Sequence, residues 1–383
     1  MTQKHPCHDC QSEDVIVFEE YERLTRVTSD CKPWPAGGCL QLCRSCGLLQ
    51  SGVNTFWIDE ITRIYAEYDC HYQSGGVDQA VYDPKSGQPI KRSDKLLSTL
   101  VERKLLPPAR RLVDLGCGSG AFLAACGQHL PGWELVGLEQ AARYEEKIRS
   151  LPGVVDFQPV SLDKLTGEYA LMTMIHVLEH IPAPSQNLAT LSRHLVEDGL
   201  FFIQVPSYEE NPFELVVADH STHFSARQLL RVMRAAGSHA THEELGWLPK
   251  ELSLLASKCG APEREKPSEA EIEETAAFVR QSLQWLEMVS TEARKLMTKK
   301  PFAIFGTSIA ANWLLGVIGA DAVDFFVDED PSRKGLTHCG KPIITPDQIP
   351  DGATVFVPLA PAVEASVYER LSNSRFSLVV PRL

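Results

Sequence analysis

The chain has 383 residues, 44% of them hydrophobic and 23% charged, an ordinary soluble composition with room for two or three domains. Its formal net charge of -13 excludes a general binder of nucleic acid or anionic membrane, because phosphate contacts need clustered Lys and Arg. A single basic pocket for a small anion remains compatible with that total.

The opening MTQKHPCHDC has no apolar core of a secretory signal, and no apolar run reaches the ~18 residues of a spanning helix. The expectation is a cytoplasmic protein, monomer or homodimer. Eleven cysteines, an odd number, then read as reduced thiols. Cys7-His8-Asp9-Cys10 and Cys43-Arg44-Ser45-Cys46 form two C-x-x-C knuckles. Together they offer four thiolates, the ligand set of a closed tetrahedral zinc site. A redox dithiol needs one such motif at a helix start, not two. With four Cys ligands no position is left open, so the metal should hold the fold and do no chemistry. Cys31 and Cys39 lack a C-x-x-C partner and rank below these four.

From about residue 110 strands and helices alternate. RLVDL, ELVGLE, YALMTMI and LFFIQV read as buried strands, and GSGAFLAACGQHL, QAARYEEKI and SQNLATLSRHLVE as the helices between them. That order predicts a mostly parallel, doubly wound sheet. Residues 261–300 start as a charged linker and become a long amphipathic helix with Phe278, Leu283, Leu286 and Met288 on its apolar stripe. FAIFG, AVDFFVDED, TVFVPL and FSLVVP then predict a smaller closing α/β domain. The expected division is 1–75, 76–260 and 261–383.

Asp114-Leu115-Gly116-Cys117-Gly118-Ser119-Gly120 lies at a strand-to-helix junction, where glycines let the backbone approach a ligand. The third glycine comes one residue earlier than in the dinucleotide fingerprint. The added Asp114 repels phosphate and suits a cationic group. Glu139 ends the next strand, about twenty residues on, where an acid accepts hydrogen bonds from ribose hydroxyls. A ligand with a ribose and a cationic amino-acid end, and no phosphate, is S-adenosylmethionine.

HVLEH, His176 to His180, spells the H-x-x-E-H pattern of some zinc peptidases. It follows a strand, however, and Ile181-Pro182-Ala183-Pro184 stops it before a metal-binding helix can form. Both histidines then sit at the carboxyl end of a central strand, the ligand crevice of an open α/β sheet.

VDLGCGSG, GLE and HVLEH in this order resemble a class I S-adenosylmethionine-dependent methyltransferase, a doubly wound Rossmann-like core. With an N-terminal zinc-binding module and a C-terminal α/β domain, the whole architecture resembles the zinc-containing C-methyltransferases of nucleotide-linked 4-keto deoxysugars. LCRSCGLLQ is similar to their second knuckle, and HYQSGG to a Y-x-S-S segment whose tyrosine, here Tyr72, lines the active site. FGTSIAANWLL and VDFFVDEDPSRKG are similar to their terminal domain. Their Y-H-E-H-x-S-Y-F-S segment aligns with Val217 to Ser225, which keeps the base as His220. Asp219 replaces the glutamate there, and both tyrosines are lost, to Val217 and His223.

This resemblance implies His220 as general base, with Asp219, Tyr72 and His180 around it. It implies cofactor contacts at Asp114, Gly116, Gly118, Gly120, Glu139 and His176, and a nucleotide-sugar substrate with Arg333 and Lys334 on its diphosphate. His223 either orients the substrate or supports the helix after it. The competing enzyme reading is an O- or N-methyltransferase of another small molecule. A scaffold that merely keeps the fold accounts poorly for the glycine loop, Glu139 and four pocket histidines.

Overall fold

The computed structural model describes residues 4–68, 80–82, 89–242, 246–258, 260–330, 333–372 and 374–381. Tyr72 and the HYQSGG segment lie outside them.

The central sheet has seven strands, in spatial order Val154–Gln158, Glu134–Leu138, Arg111–Leu115, Tyr169–Ile175, Leu195–Pro206, Glu251–Lys258 and Ser238–His242. The first five run parallel, and Glu251–Lys258 is antiparallel to both of its neighbours. Helices can cover both faces of such a sheet because its strands are apolar throughout: Leu112, Val113, Leu115, Leu171, Met172 and Met174 are all fully buried. Strand order reverses beside Arg111–Leu115, so a crevice opens at the carboxyl ends of that strand and of Tyr169–Ile175.

The helices are shorter than the sequence pattern suggests. QAARYEEKI folds as a 3-10 turn, Ala142–Tyr144, and a single α turn, Glu145–Arg149. The helix read through residue 197 stops at Leu191, and Leu195 already pairs with Tyr169 as a strand. Leu195 and Val196 are compatible with either state, and sheet pairing decides between them.

A second sheet is antiparallel, in the order Val15–Val17, Leu40–Cys43, Leu49–Ser51 and Thr222–His223. Three strands come from the N-terminal segment. The fourth arrives from more than 170 residues further on, bringing the ADHSTHFS segment with it. The third sheet pairs Phe302–Phe305 with Phe325–Val327 and Thr354–Phe356, extended by Lys341–Ile344 and Ser377–Val379, all parallel. Thr337–His338 adds an antiparallel edge.

The helix Glu269–Leu296 joins these parts. Ser268 caps it by accepting from the Glu271 amide, which satisfies one otherwise orphaned donor. Its buried face is Ile272, Ala276, Val279, Leu283, Leu286, Val289 and Ala293, a clean helical stripe. Met288, expected on that stripe, is 38% exposed, because the next apolar position one turn on from Leu286 is Val289. Trp313 packs edge-on to Phe213 at 5.3 Å, as does Trp285, and the Trp313 indole donates to the Thr25 carbonyl at 2.7 Å. One hydrophobic core therefore contains side chains from all three sheets' regions. Among the described residues no helix is long and apolar enough to cross a membrane.

Candidate active site and cysteine cluster

The crevice at the strand ends is a cavity of about 790 Å³, within the range that encloses a cofactor-sized ligand. Its floor at one end is the glycine loop. Gly116 has φ +68°, and a Cβ there would lie 2.6 Å from Val177. Gly118 has φ +51°, and a Cβ there would meet nothing within 4 Å; it would project into the space a ligand's backbone contact needs. Gly120 has φ +81° and precedes the helix Ala121–His129.

Glu139 is held in place by two amides, accepting from Gly118 N at 3.1 Å and Ala141 N at 3.3 Å. Asp114 is buried and accepts from the Thr173 hydroxyl at 2.6 Å. Burial, opposed by that hydrogen bond and reinforced by Glu139, raises its carboxyl to about 7. A cation delivered beside it would restore the carboxylate. Asp114, Gly116, Gly118, Glu139 and His176 all line the cavity, whereas Gly120, the N-cap of the following helix, does not. These features fit S-adenosylmethionine: two carboxylates, an open glycine and a deep crevice.

At the other end the cavity is lined by Tyr65, Tyr68, Arg92, His176, His180 and Arg333. His176 has a left-handed backbone, φ +55°, which turns its ring toward Arg92 and Glu251. Burial and the Arg92 charge hold it well below the usual histidine range. Arg92 also donates to Gln204 at 2.7 Å and pairs with Glu251 at 2.8 Å.

His180 sits in a polar cradle. Its Nδ1 lies 3.0 Å from the Tyr65 hydroxyl and 3.1 Å from the Asp219 carbonyl. A carbonyl only accepts, so the hydrogen is assigned to Nδ1 and the lone pair to Nε2. Asp219 is fixed in turn by the Ser29 amide at 2.8 Å and the Ser29 hydroxyl at 2.5 Å.

His220 is placed differently from the expectation. It is 4% exposed and stands behind His180, ring centroids 4.6 Å apart and nearly perpendicular, so His180 rather than His220 lines the cavity. Its segment is pulled inward as the fourth strand of the N-terminal sheet. His220 Nδ1 bonds the Glu214 carboxyl, and with the hydrogen assigned to Nδ1 the ring's Nε2 is the accepting nitrogen. Burial lowers His180 and His220 alike to about 4, so both rings are unprotonated at neutral pH. Asp219, expected beside the His220 ring, instead steadies His180. His223 is fully buried with Nδ1 3.7 Å from Glu214 and does not reach the cavity. The following helix, Ala226–Ala235, is capped by Ser225 and Gln228 in a capping box.

Sequence reasoning passed over Glu214, Tyr65 and Arg92. Glu214 had a legible signal: a lone acid inside PFELVV must find a partner once buried. Arg333 reaches the cavity from the C-terminal sheet and pairs with Asp328 at 3.3 Å, whereas Lys334 is exposed.

The sulfurs of Cys7, Cys10, Cys43 and Cys46 form one cluster, all within 4.8 Å of one another. Cys7 and Cys46 are 3.6 Å apart, Cys10 and Cys43 3.5 Å. A tetrahedron with Zn–S bonds of ~2.3 Å has S···S edges of about 3.8 Å, so the cluster fits a zinc ion. Cys31 and Cys39 lie outside it.

Residues 90–243 match the family model described as methyltransferase domain. A trans-aconitate 2-methyltransferase of Deinococcus radiodurans is 30% identical over 106 residues, 27% of this chain and 41% of that protein. The C-methyltransferase NovU of Streptomyces niveus is 25% identical over 341 residues, 77% of this chain and 78% of that protein. The chain thus spans under half of the first relative and over three quarters of the second. Among solved structures, CalS10 of Micromonospora echinaspora, an amino pentose methyltransferase with S-adenosylmethionine bound, overlays 43% of this chain and 92% of that one, at 17% identity and a TM-score of 0.34. Residues 90–243 are thus identified as a methyltransferase domain, and the relatives named above are methyltransferases.

Proposed function

We propose that this enzyme transfers a methyl group to a carbon of a nucleotide-linked 4-keto deoxysugar, using the His180–His220 pair as general base. The observation that carries the reading is that pair: one unprotonated imidazole, His180, lining the crevice and a second, His220, directly behind it and bonded to Glu214. An oxygen or nitrogen acceptor needs little more than positioning, whereas carbon needs an acidified C–H and a base within reach. The likeness to a C-methyltransferase over most of both chains supports the same reading.

Bound S-adenosylmethionine supplies a methyl on a sulfonium, a carbon electrophile whose C–S electron pair stays with sulfur. Asp114 and Glu139 would hold its cationic end and its ribose, with the Gly116–Gly120 loop beneath and His176 alongside. The proton beside the ketone goes to an imidazole Nε2, and the C–H electron pair delocalises into the carbonyl as an enolate. That carbon then forms the new C–C bond. Glu214 balances the positive charge arriving on the histidines, and Asp219 keeps His180 in the tautomer that accepts. Tyr72 is assigned to the same pocket by resemblance alone. Arg333 is the cavity's candidate partner for the sugar diphosphate. Cys7, Cys10, Cys43 and Cys46 hold a structural zinc.

Incubating the enzyme with demethylated cofactor and a nucleotide-linked 4-keto deoxysugar deuterated beside the ketone tests the proposal. Wash-out of deuterium is expected. Retained deuterium in a substrate that is nonetheless methylated at oxygen or nitrogen would overturn it.

A further inference from the structure

We propose that His8, inside the first C-x-x-C knuckle, is a positioning residue of the active site that ties together the two segments carrying His180 and His220. The inference rests on the functional reading above.

The geometry is specific. Ala183 N donates to His8 Nδ1 at 3.0 Å, which fixes that nitrogen as the acceptor. Nε2 must then carry the hydrogen, and it donates to the Ser221 carbonyl at 3.0 Å. His8 N also donates to Gln50 Oε1 at 2.9 Å. The residue is 8% exposed, so these bonds face little competition from water. Its two ring nitrogens therefore reach one residue past His220 and three past His180.

Both targets need holding. Ala183 adopts φ +53°, a left-handed conformation that a residue with a Cβ takes only when its surroundings enforce it. Ser221 is the hub between the segments: its amide and hydroxyl both donate to the Glu179 carbonyl, at 2.8 and 3.0 Å. The neighbouring knuckle residue adds a second clamp, since Asp9 accepts from the Ser185 amide at 2.9 Å and its hydroxyl at 2.7 Å. Ser51, from the same N-terminal sheet, donates to the His220 carbonyl at 2.7 Å. The knuckle's turn, held by its sulfurs, thus sets where the two imidazoles stand relative to each other.

Two substitutions separate the arms. Asparagine reaches as far as Nδ1 and keeps an acceptor for Ala183, but loses Ser221. Glutamine reaches as far as Nε2 and keeps a donor for Ser221, but loses Ala183. In the full-length protein His8→Asn should slow deuterium wash-out at least about tenfold, the effect of one lost buried hydrogen bond. His8→Gln, which loses the Ala183 bond instead, should slow it to a similar degree. Zinc content and S-adenosylmethionine affinity should be unchanged in both. Near-wild-type wash-out in both variants, or loss of zinc or of cofactor binding in either, would make His8 a fold residue and overturn the proposal. Absence of wash-out in the wild type would instead sink the functional reading itself.

Discussion

At the cofactor end of the cavity the chain works with its backbone. Three left-handed glycines, the amides that hold Glu139 and a strand end that presents Asp114 all lie within one stretch, 114–141. At the acceptor end it works with side chains from far-apart segments: Ser29, Tyr65, Arg92, His180, Glu214 and His220. The first kind of site depends on the central sheet alone. The second depends on how the N-terminal sheet grips the histidine segment, so the two ends should fail separately.

Removing the proposed zinc is the strongest way to separate them. Zinc held by four thiolates contributes on the order of 10 kcal/mol to a small module's folding, and the module's sheet includes Thr222–His223. Cys7→Ser should therefore abolish zinc binding and turnover while S-adenosylmethionine still binds the central domain. Metal analysis and calorimetry on the same sample check this. Parallel loss of cofactor affinity would show that the two ends are one cooperative unit.

The next contrast lies within the acceptor end. His220→Asn keeps size and a hydrogen bond to Glu214 but removes the base, which typically costs 10²–10⁴-fold in rate. His180→Asn should cost as much if the pair works as a unit, and neither should change cofactor affinity. Near-normal turnover in His220→Asn with an inactive His180→Asn would assign the base to His180 alone, the ring that lines the cavity.

This asymmetry also explains what the sequence could disclose. The strand-loop-helix around Gly116, Gly118 and Gly120 is local, so its spacing reveals its geometry directly. The four-cysteine cluster is legible because each knuckle is itself a local turn. The depth of His220 is not, because it is decided when a two-residue strand joins a sheet built some 170 residues earlier. Likewise Asp219 looks like a neighbour of His220 in the chain, yet its carboxylate turns to Ser29 and His180. Met288 fails for a simpler reason: the buried stripe of this 28-residue helix runs through Leu283, Leu286 and Val289, and Met288 falls one position off it.

A milder effect probes the cofactor end. Glu139→Ala removes a carboxylate placed for the ribose and should weaken S-adenosylmethionine binding by roughly 1.5–3 kcal/mol, the range for hydrogen bonds to a charged group. Deuterium wash-out at saturating demethylated cofactor should stay near wild type. A large fall in wash-out at saturation would mean that the loop also shapes the acceptor end.

The smallest expected effect is one of pH. In the free protein the Asp114 carboxyl is raised to about 7, mainly by burial. A cationic ligand beside it favours the ionised form and lowers that value in the complex. Between the two values the complex binds fewer protons than the free protein, so binding expels a proton and affinity must rise with pH. The rise should approach tenfold per unit below pH ~7 and level off above it, since one unit corresponds to 1.36 kcal/mol. Titration calorimetry in two buffers of different ionisation enthalpy should register close to one proton released at about pH 6, and almost none at about pH 8. Asp114→Asn should bind more weakly above neutrality and lose the pH dependence. An affinity that stays flat from about pH 5.5 to 7.5 in the wild type would mean that no positive charge comes to Asp114. The cationic end of the cofactor would then have to be assigned to another part of the crevice.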